Sequence, residues 1–421
     1  MTTSNPALAS LLALLLLIVV SCFSRINIGV LGLALAWLIA VLVAGWEPAR
    51  VIAGFPSGLF LTLTGVTLLF GVADANGTLT RLAGRAVGLA RGNRMGVTAI
   101  LFGIAFLIST TGPGAILAVA VTVPLAMAVG ARVGVAPLVV ALVVANGANA
   151  GNMSPVSAVG VIANDAMAKA GLPGHEGKVW LAGFLSHLLV TLVAVAALER
   201  LGRAGVPATE AAHEPDAAGA RFGWRQRLTV LVTAVWIAGV VGFGLQVGLA
   251  AFAAVAVMFL LRVVDETAAF RRVPLGIIVM VTGMSTLVAI LEQTGGIDLF
   301  STLLAKLSTA RTVNGVMGFV TGLISTYSST SAVVLPAFLP TAPGVAAQVG
   351  GDPVAVSLSI TVGSALVDVS PLSTLGALCV AAVTDPAVAT RLFRQLLLWG
   401  LGMVLVGALL SQLFAGVFAG L

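Results

Sequence analysis

The sequence predicts an all-α polytopic membrane protein built from two copies of one unit. Hydrophobic residues make up 59% of the 421 residues and charged residues only 9%, and the mean hydropathy is +1.13. Most side chains of such a chain require an apolar solvent. The second observation is an internal repeat that runs without gaps at an offset of 216 residues.

The repeat consists of polar and glycine positions within apolar surroundings. The tetrapeptide LIST occurs at 107–110 and again at 323–326, and the pattern Gly-(six residues)-Ser-Pro-x-Ser-x-x-Gly occurs at 147–160 and 363–376. Apolar composition alone does not put Ser-Pro and Gly at the same spacing twice. The repeat therefore predicts a duplicated unit with a helix break in each copy, which in a membrane protein is the best sequence indication of a transport site.

Apolar stretches long enough to cross about 30 Å of hydrocarbon predict the membrane helices. These stretches lie at 7–22, 28–45, 52–73, 179–198, 226–243, 245–262, 274–291 and 393–418. Residues 79–94 form an amphipathic pattern with four Arg and predict a helix on the membrane surface.

Two kinds of interrupted stretch lie between these spans. Residues 97–130 and 313–348 are apolar arms around a polar centre, each arm too short to span comfortably, and each pair predicts a re-entrant hairpin with its tip at membrane depth. Residues 134–165 and 350–384 carry polar interruptions and predict discontinuous helices whose broken backbone lines a cavity. We therefore expect ten helices and two hairpins, with the broken elements forming a mobile unit and the other helices a scaffold.

Charge bias predicts that the two copies are inverted. Residues 1–200 form the first repeat, 201–225 a cytoplasmic linker and 226–421 the second repeat. The positive-inside rule puts the Arg-containing loops 79–94, 199–227 and 262–272 in the cytoplasm. Matching loops then face opposite sides of the cytoplasmic (inner) membrane, and both termini are expected outside.

Several other classes are disfavoured. The net charge of +6 comes from Arg in short loops without interleaved aromatic residues, so no nucleic-acid partner is expected. The chain has three His and no HExxH, GxSxG or paired-Asp motif, so it is not expected to be an enzyme or to hold a cofactor. Cys22 and Cys379 lie in apolar segments far apart, which indicates neither a disulfide framework nor a metal cluster. A channel is a weaker alternative, because channels line a continuous pore.

The tips and breaks can bind an anion and a small cation. Unpaired backbone N–H groups and half-helix N-termini hold carboxylates without a buried Lys or Arg. The candidate substrate-binding residues are Ser109, Thr110, Thr111, Ser154, Pro155, Ser325, Thr326, Ser328, Ser329, Thr330, Ser370 and Pro371. Amide and carbonyl oxygens at the breaks suit sodium, and the candidate cation-binding residues are Asn149, Gly151, Asn152, Ser364 and Asp368. A symmetric pair of such sites predicts a substrate with two anionic ends.

Asp368 is the sharpest single candidate. It lies in the second break, where the first copy has Asn152, and a carboxylate within a membrane is costly and usually functional. It can bind sodium or carry a coupling proton; the alternative is a residue that caps a half-helix or reaches a water-filled edge. His187 is more typical of a hydrogen-bonded packing residue than of a proton carrier. Asp74 and Glu292 are expected to be solvated at helix ends.

The paired tip and break motifs carry a family resemblance. The segments STYSSTSAVVLPAFLP (325–340) and GNMSPVSAVG (151–160) resemble the divalent anion/sodium symporter family of the ion transporter superfamily, and most closely its malonate/dicarboxylate carrier branch. The resemblance implies an elevator-type secondary transporter, a homodimer in the lipid bilayer, that moves malonate or a C4-dicarboxylate with sodium as the coupling ion.

The family's motifs map onto particular residues of this chain. Its Ser-Asn-Thr tip maps onto 328–330 and loosely onto 109–111, and its Thr-Pro turns map onto 154–155 and 370–371; neither tip of this chain has an Asn. A proton-coupled carrier of another organic anion and a sodium/proton antiporter of the same superfamily remain alternatives.

Overall fold

The structure, a computed structural model, is helical throughout the part of the chain that it describes. It describes residues 5–24, 26–88, 94–202, 204–205, 222–383 and 385–420. Outside the helices, these residues contain an isolated antiparallel bridge between Val135 and Gly205. Seven of the described helices are long and apolar enough to cross a membrane, so the predicted all-α, multi-pass membrane architecture is confirmed at that level.

The first half of the chain contains ten α-helices within the described ranges. They are α1 (Pro6–Phe23), α2 (Ile28–Leu38, extended by a π-helical turn Ile39–Val43), α3 (Pro48–Ala53), α4 (Ser57–Ala75), α5 (Thr78–Gly88), α6 (Arg94–Thr110), α7 (Gly114–Val133), α8 (Pro137–Asn152), α9 (Ala158–Lys169) and α10 (Glu176–Arg200). The turn at 111–113 joins α6 to α7, and residues 153–157 separate α8 from α9. We call residues 111–115 the first tip and residues 152–158, which include the last residue of α8 and the first residue of α9, the first break.

The second half follows the same order of elements. It consists of α11 (Trp224–Phe243), α12 (Val247–Leu260), α13 (Glu266–Phe270), α14 (Leu275–Gln293), α15 (Gly296–Ala305), α16 (Val313–Tyr327), α17 (Leu335–Phe338), α18 (Ala342–Val349), α19 (Pro353–Leu366), α20 (Thr374–Ala381) and α21 (Pro386–Gly420). A π-helical turn Thr330–Val334 leads into α17, a 3₁₀ turn Leu339–Thr341 joins α17 to α18, and another at Val367–Val369 follows α19. Residues 328–329 are the second tip, and residues 367–373 are the second break.

The structure differs from the predicted spans in three places. The span expected at 52–73 is divided, because α3 ends at Ala53 and α4 begins only after Pro56. The segments Gly114–Val133 and Thr330–Val349 are 20 residues long, which is longer than the short hairpin arms expected. The last helix begins at Pro386 rather than at 393. Most of the linker expected at 201–225, Arg91 of the surface helix, and His213 lie outside the described residues.

Glycine and proline explain where the interrupted elements begin and end. Gly134 follows α7 with a φ of 71°, and Gly350 follows α18 with a φ of 77°, a left-handed conformation that glycine adopts without a steric cost. Pro137 and Pro353 then occupy the first position of α8 and α19, where their fixed φ suits a helix start. These four residues are matching positions of the sequence repeat, so the repeat specifies equivalent corners in both halves.

Two helix crossings interlock the halves. Helix α4 packs on α12, and α14 packs on α2, so each crossing joins one half to the other. A Cβ built at Gly65 of α4 would lie 2.5 Å from the carbonyl oxygen of Gly248 in α12. In the other crossing, Gly283 and Gly29 approach so closely that neither has room for a side chain. Small residues of this kind let membrane helices pack backbone to backbone.

A second group of helices surrounds the two breaks. In the first half, α8 packs against α6, α7 and α10, and in the second half α19 packs against α16 and α21. Helices α8 and α19 touch where the side-chain amide of Asn149 donates to the carbonyl oxygen of Ala365 at 3.4 Å. Almost all of α8 and α19 is buried, so the breaks lie inside the protein.

The α4–α12 crossing gives a direct test of this packing. We expect Gly65→Ala to destabilise the protein by about 1–3 kcal/mol, because the added methyl group must push two backbones apart. Gly58→Ala is a matched control on the same helix, since a Cβ there has no neighbour within 4 Å and an alanine favours the helix. Thermal unfolding of the purified variants in detergent measures the difference; equal stabilities would contradict the close crossing.

Candidate functional site

A cavity of about 450 Å³ brings both tips and both breaks together. Helices α4 and α14 and the residues before α2 and α14 form its remaining walls. The polar residues that line it are Ser24, Thr67, Asn152, Arg272, Tyr327, Ser328, Ser329, Thr330, Ser331, Asp368, Ser373 and Thr374. Segments more than 200 residues apart in the sequence thus converge on one space.

The first tip is fastened to the first break by two hydrogen bonds. The backbone N–H of Ala115 donates to Asn152 Oδ1 at 3.0 Å, and the N–H of Ala158 donates to the carbonyl oxygen of Gly112 at 2.9 Å. Gly112 has a φ of 144° and Gly114 a φ of 77°, values that a residue with a side chain rarely adopts. The turn therefore depends on glycine at both positions.

The second tip is fastened to the second break through a hydroxyl and a carboxylate. Thr330 Oγ1 donates to Asp368 Oδ1 at 2.7 Å and lies 3.2 Å from the carbonyl oxygen of Ser364. The Ser325 hydroxyl forms a short hydrogen bond with the same Thr330 oxygen. Ser329 Oγ accepts from the N–H of Ala332 at 3.2 Å and so caps the π-helical turn Thr330–Val334. Asp368 is half-buried.

Asn152 and Asp368 occupy matching positions of the repeat and make matching contacts. Each connects a break to the tip of its own half, Asn152 through Ala115 and Asp368 through Thr330. The chemistry differs, because one contact is between an amide and a backbone N–H and the other between a carboxylate and a hydroxyl. The repeat therefore conserves the position of the contact while the two halves use different groups.

The repeated glycines allow close approach of the backbone around each break. A Cβ at Gly147 would meet the backbone of Phe102 in α6, and a Cβ at Gly363 would meet the backbone of Gly318 in α16. At the other end of the motif, Gly160 and Gly376 lie directly against the carbonyl groups of Ser154 and Ser370. The glycine positions of the motif thus shape the two breaks rather than contact a ligand.

Several buried oxygens around the first tip and break have no hydrogen-bond partner within the described part of the chain. They are Ser109 Oγ, Thr110 Oγ1, Asn149 Oδ1 and Ser157 Oγ. Gly151 lies beside them, and a Cβ there would come within 2.5 Å of Thr110 Oγ1. An unpartnered buried oxygen costs free energy, so these atoms are candidates for binding a ligand.

The matching hydroxyls of the second half are all hydrogen-bonded. Ser325 pairs with Thr330, Thr326 Oγ1 donates to the carbonyl oxygen of Gly322 at 2.9 Å, and Ser373 Oγ donates to the carbonyl oxygen of Ser370 at 2.8 Å. The two halves are therefore alike in backbone and unlike in the polar atoms that remain available.

Other candidate residues contribute to the turns themselves. Ser154 Oγ accepts from the N–H of Val156 at 3.4 Å, and Ser370 Oγ accepts from the N–H of Leu372 at 3.3 Å. Pro155 is exposed and Pro371 is buried. The hydroxyls of Thr111 and Ser364 donate to the carbonyl oxygens of Ile108 and Ile360. The cavity is not lined by Thr111, Ser154, Pro155, Ser364, Ser370 or Pro371.

Sequence reasoning missed Arg272 and misjudged Asp74. In the sequence, Arg272 is one of the basic residues that orient the loop 262–272, but in the structure it lines the cavity. Asp74, expected to be solvated at a helix end, has a side chain only 12% exposed, and its Oδ2 atom lies 3.0 Å from Arg272 Nη1. The residues are far apart in the chain and meet through the packing of α13 and α4, so no local pattern indicates the pair. His187 is buried, with Nδ1 2.9 Å from Asn146 Oδ1, a hydrogen-bonded packing position.

A second cavity, of about 700 Å³, borders the N-terminal end of α4 and the C-terminal half of α14. Its wall also includes the residues after α3, the C-terminal part of α9, Pro336 and Pro340. Ile162 of α9 lines both cavities. The side chain of Ile162 therefore lies between the two cavities.

The contact between Thr330 and Asp368 can be tested without a ligand. Thr330→Val keeps the shape of the side chain and removes the hydroxyl, so the half-buried carboxylate of Asp368 loses a donor, which costs about 1 kcal/mol. We expect faster backbone hydrogen exchange at residues 328–334 in this variant, measured by mass spectrometry. Thr330→Ser keeps the hydroxyl and is the control; the same exchange rates in the Val and Ser variants would contradict the contact.

Comparison with known proteins agrees with the fold and the resemblance. Residues 4–152 match the family model described as the dicarboxylate carrier protein MatC N-terminus. No match was found among the curated proteins. The structure resembles that of the YdaH transporter from Alcanivorax borkumensis, with a TM-score of 0.62 and 18% identity over 98% of both chains.

It also resembles MtrF from Neisseria gonorrhoeae, which is linked to a class of antimetabolite efflux pumps, with a TM-score of 0.61 and 15% identity over 97% of this chain and 95% of that one. At such identities the likeness extends to the fold alone. The chain is therefore a multi-pass membrane protein with the fold of known transporters, and the resemblance to the dicarboxylate carriers drawn from its sequence is confirmed by the match over residues 4–152.

Proposed function

We propose that this protein is a secondary active transporter that moves a small dicarboxylate, malonate or a C4-dicarboxylate, across the cytoplasmic membrane together with sodium. The observation that carries the proposal is the convergence of both tips and both breaks on one cavity of about 450 Å³. The match of residues 4–152 to a dicarboxylate carrier model supports the choice of substrate.

The cavity suits an anion because helix N-termini reach its wall. The first residues of α7, α9 and α20, namely Gly114, Ala158 and Thr374, all line the cavity. The N-terminus of a helix carries a partial positive charge, which favours a carboxylate. Ser328 and Ser329 at the second tip add hydroxyls to the same wall. Donors on opposite sides of one space fit a substrate with a carboxylate at each end.

Sodium coupling is supported by the unpartnered oxygens of the first half. Asn149 Oδ1, Ser109 Oγ and Thr110 Oγ1 are buried without hydrogen-bond partners in the described structure. Hydroxyl and amide oxygens are hard ligands suited to an alkali cation. Asn152 lies at the end of the same helix and lines the cavity, so a cation held here would lie close to the bound anion and offset its charge.

An elevator-type alternation is supported by the two cavities. They lie at successive positions along the boundary of α4 and α14 with α9, the first beside the N-terminal half of α14 and the second beside its C-terminal half. Movement of the helices around the breaks past the interlocked α2, α4, α12 and α14 would open one cavity as the other closes. The contact between Asn149 and Ala365, which are 216 residues apart and hence matching positions of the repeat, supports an inverted duplication with its pseudo-twofold axis near this point. The family resemblance extends the proposal to a homodimer, and the positive-inside rule extends it to both termini outside.

A proton-coupled carrier of another organic anion is the second candidate, because a carboxylate lies in the cavity wall. Asp368 pairs with a hydroxyl and not with a cation, and a carboxylate in such surroundings is a suitable proton carrier. Proton-driven uptake that Asp368→Asn abolishes would favour this candidate. A sodium/proton antiporter of the same superfamily would require both sites without the organic anion.

Uptake into proteoliposomes tests the proposed function. We expect accumulation of labelled malonate or succinate when an inward sodium gradient is imposed, and none under an inward proton gradient alone. Liposomes without protein are the control. Uptake driven only by protons would replace sodium with Asp368 as the coupling site, and no uptake of either acid would remove the dicarboxylate assignment.

The position of the sodium site gives a separate prediction. Asn149→Ala removes an unpartnered oxygen, so we expect the sodium concentration for half-maximal uptake to rise about tenfold, the effect of losing roughly 1.4 kcal/mol of ion binding. Ser364→Ala is the comparison variant from the second half, because the Ser364 hydroxyl already donates to Ile360 and its loss should leave sodium dependence unchanged. The reverse order of effects would move the ion to the second half.

A further inference from the structure

We infer that Arg272 is a substrate-binding residue at the edge of the cavity, where its guanidinium group binds a carboxylate of the transported anion beside Asp74. The inference rests on the proposed function in one respect, that the substrate is an organic anion. It adds to that function a cationic subsite on the helices that do not carry the tips and breaks.

The geometry puts Arg272 in contact with both water and the cavity. It lies between α13 and α14, its side chain is 56% exposed, and it lines the same cavity as Ser329 and Thr330 of the opposing wall. An anion that approaches the tips from this side passes the guanidinium group first. A positive charge at the edge of a low-dielectric cavity raises the local concentration of anions.

Arg272 also provides a positive counterpart to Asp368 in the cavity. Within the described lining, the charged side chains are Arg272 and Asp368, and most of the remaining wall is apolar, with Ile28, Ile278 and Val281 among its residues. A carboxylate in the wall opposes the binding of a second anion, and apolar surroundings screen that repulsion poorly. Arg272 supplies the opposite charge within the same space.

Asp74 orients the side chain of Arg272. The Asp74 carboxylate lies in the last turn of α4, where the helix dipole disfavours a negative charge, and Arg272 Nη1 is its partner at 3.0 Å. The pair fixes the direction of a side chain that would otherwise have many rotamers. The Arg272 side chain is 56% exposed, so a second carboxylate can reach the guanidinium group while Asp74, whose side chain is only 12% exposed, keeps its partner.

The type of cation matters at this position. A guanidinium group has five donors in a planar fork, so it can keep one hydrogen bond to Asp74 while its other N–H groups donate to a substrate carboxylate. An ammonium group offers a point charge without that geometry. Arg272→Lys is therefore expected to bind the anion more weakly than the wild-type protein and more tightly than Arg272→Gln.

The test is the binding of malonate and succinate to the purified full-length protein, measured by isothermal titration calorimetry in sodium buffer at low and high ionic strength. We expect Arg272→Gln to weaken binding about tenfold, in line with the loss of a charge-assisted hydrogen bond, and to reduce the dependence of affinity on ionic strength. Asp74→Asn removes the competing carboxylate, so we expect it to tighten binding severalfold. Arg271→Gln is the control, because Arg271 is exposed and adjacent but does not line the cavity.

The double variant Asp74→Asn with Arg272→Gln separates binding from repulsion. In Arg272→Gln alone, Asp74 is left without this partner and could itself repel the anion. We expect the double variant to bind as weakly as Arg272→Gln, because the guanidinium is missing in both. Wild-type affinity in the double variant, or in Arg272→Gln, would overturn the role of Arg272 and leave the proposed function intact. A wild-type protein that binds neither acid would overturn the proposed function and this inference together.

Discussion

The constraint on which the structure depends is that interrupted backbone inside an apolar protein must find its hydrogen bonds within the protein. Each break meets it partly through a contact with the tip of its own half, the first through a backbone N–H group and the second through the Thr330 hydroxyl, which also reaches the carbonyl oxygen of Ser364. Asn152 accepts from the N–H of Ala115, and Asp368 accepts from Thr330. Each contact fixes a tip beside a break, and the two pairs together enclose the cavity. The candidate binding site is therefore a consequence of how the breaks are stabilised.

The two halves have kept this arrangement and diverged in their polar atoms. In the first half, Asn149 Oδ1 and Ser109 Oγ are buried without partners in the described structure, whereas in the second half Ser325, Thr330 and Asp368 satisfy one another. An unpartnered oxygen can bind a ligand. A carboxylate that is hydrogen-bonded to a hydroxyl can lose that contact or take up a proton. Duplication thus supplies one geometry and two kinds of chemistry, which suits a process that couples an organic anion to an ion.

Glycine explains why the motif could be read from the sequence. Gly147, Gly160 and their matching positions lie where a side chain would strike the backbone of a neighbour, so these positions tolerate no other residue. The Ser-Pro turns and the helix starts at Pro137 and Pro353 are local in the same sense. The division of the span at Pro56 and the full length of α7 were not predicted, because apolar runs look alike whether a helix crosses, stops or turns within them.

The helical membrane class, the duplication and the positions of both tips and breaks follow from the sequence, since composition, glycine and proline act through the local backbone and the solvent. The packing of the helices sets which polar atoms meet and which have no partner in the described part of the chain. The ion pair of Arg272 with Asp74, the approach of both tips to one cavity, and the unpaired oxygens of the first half all depend on contacts between segments far apart in the chain. The physical reason is that a hydrogen bond or ion pair requires atoms within about 3 Å of each other, and helix packing alone sets those distances.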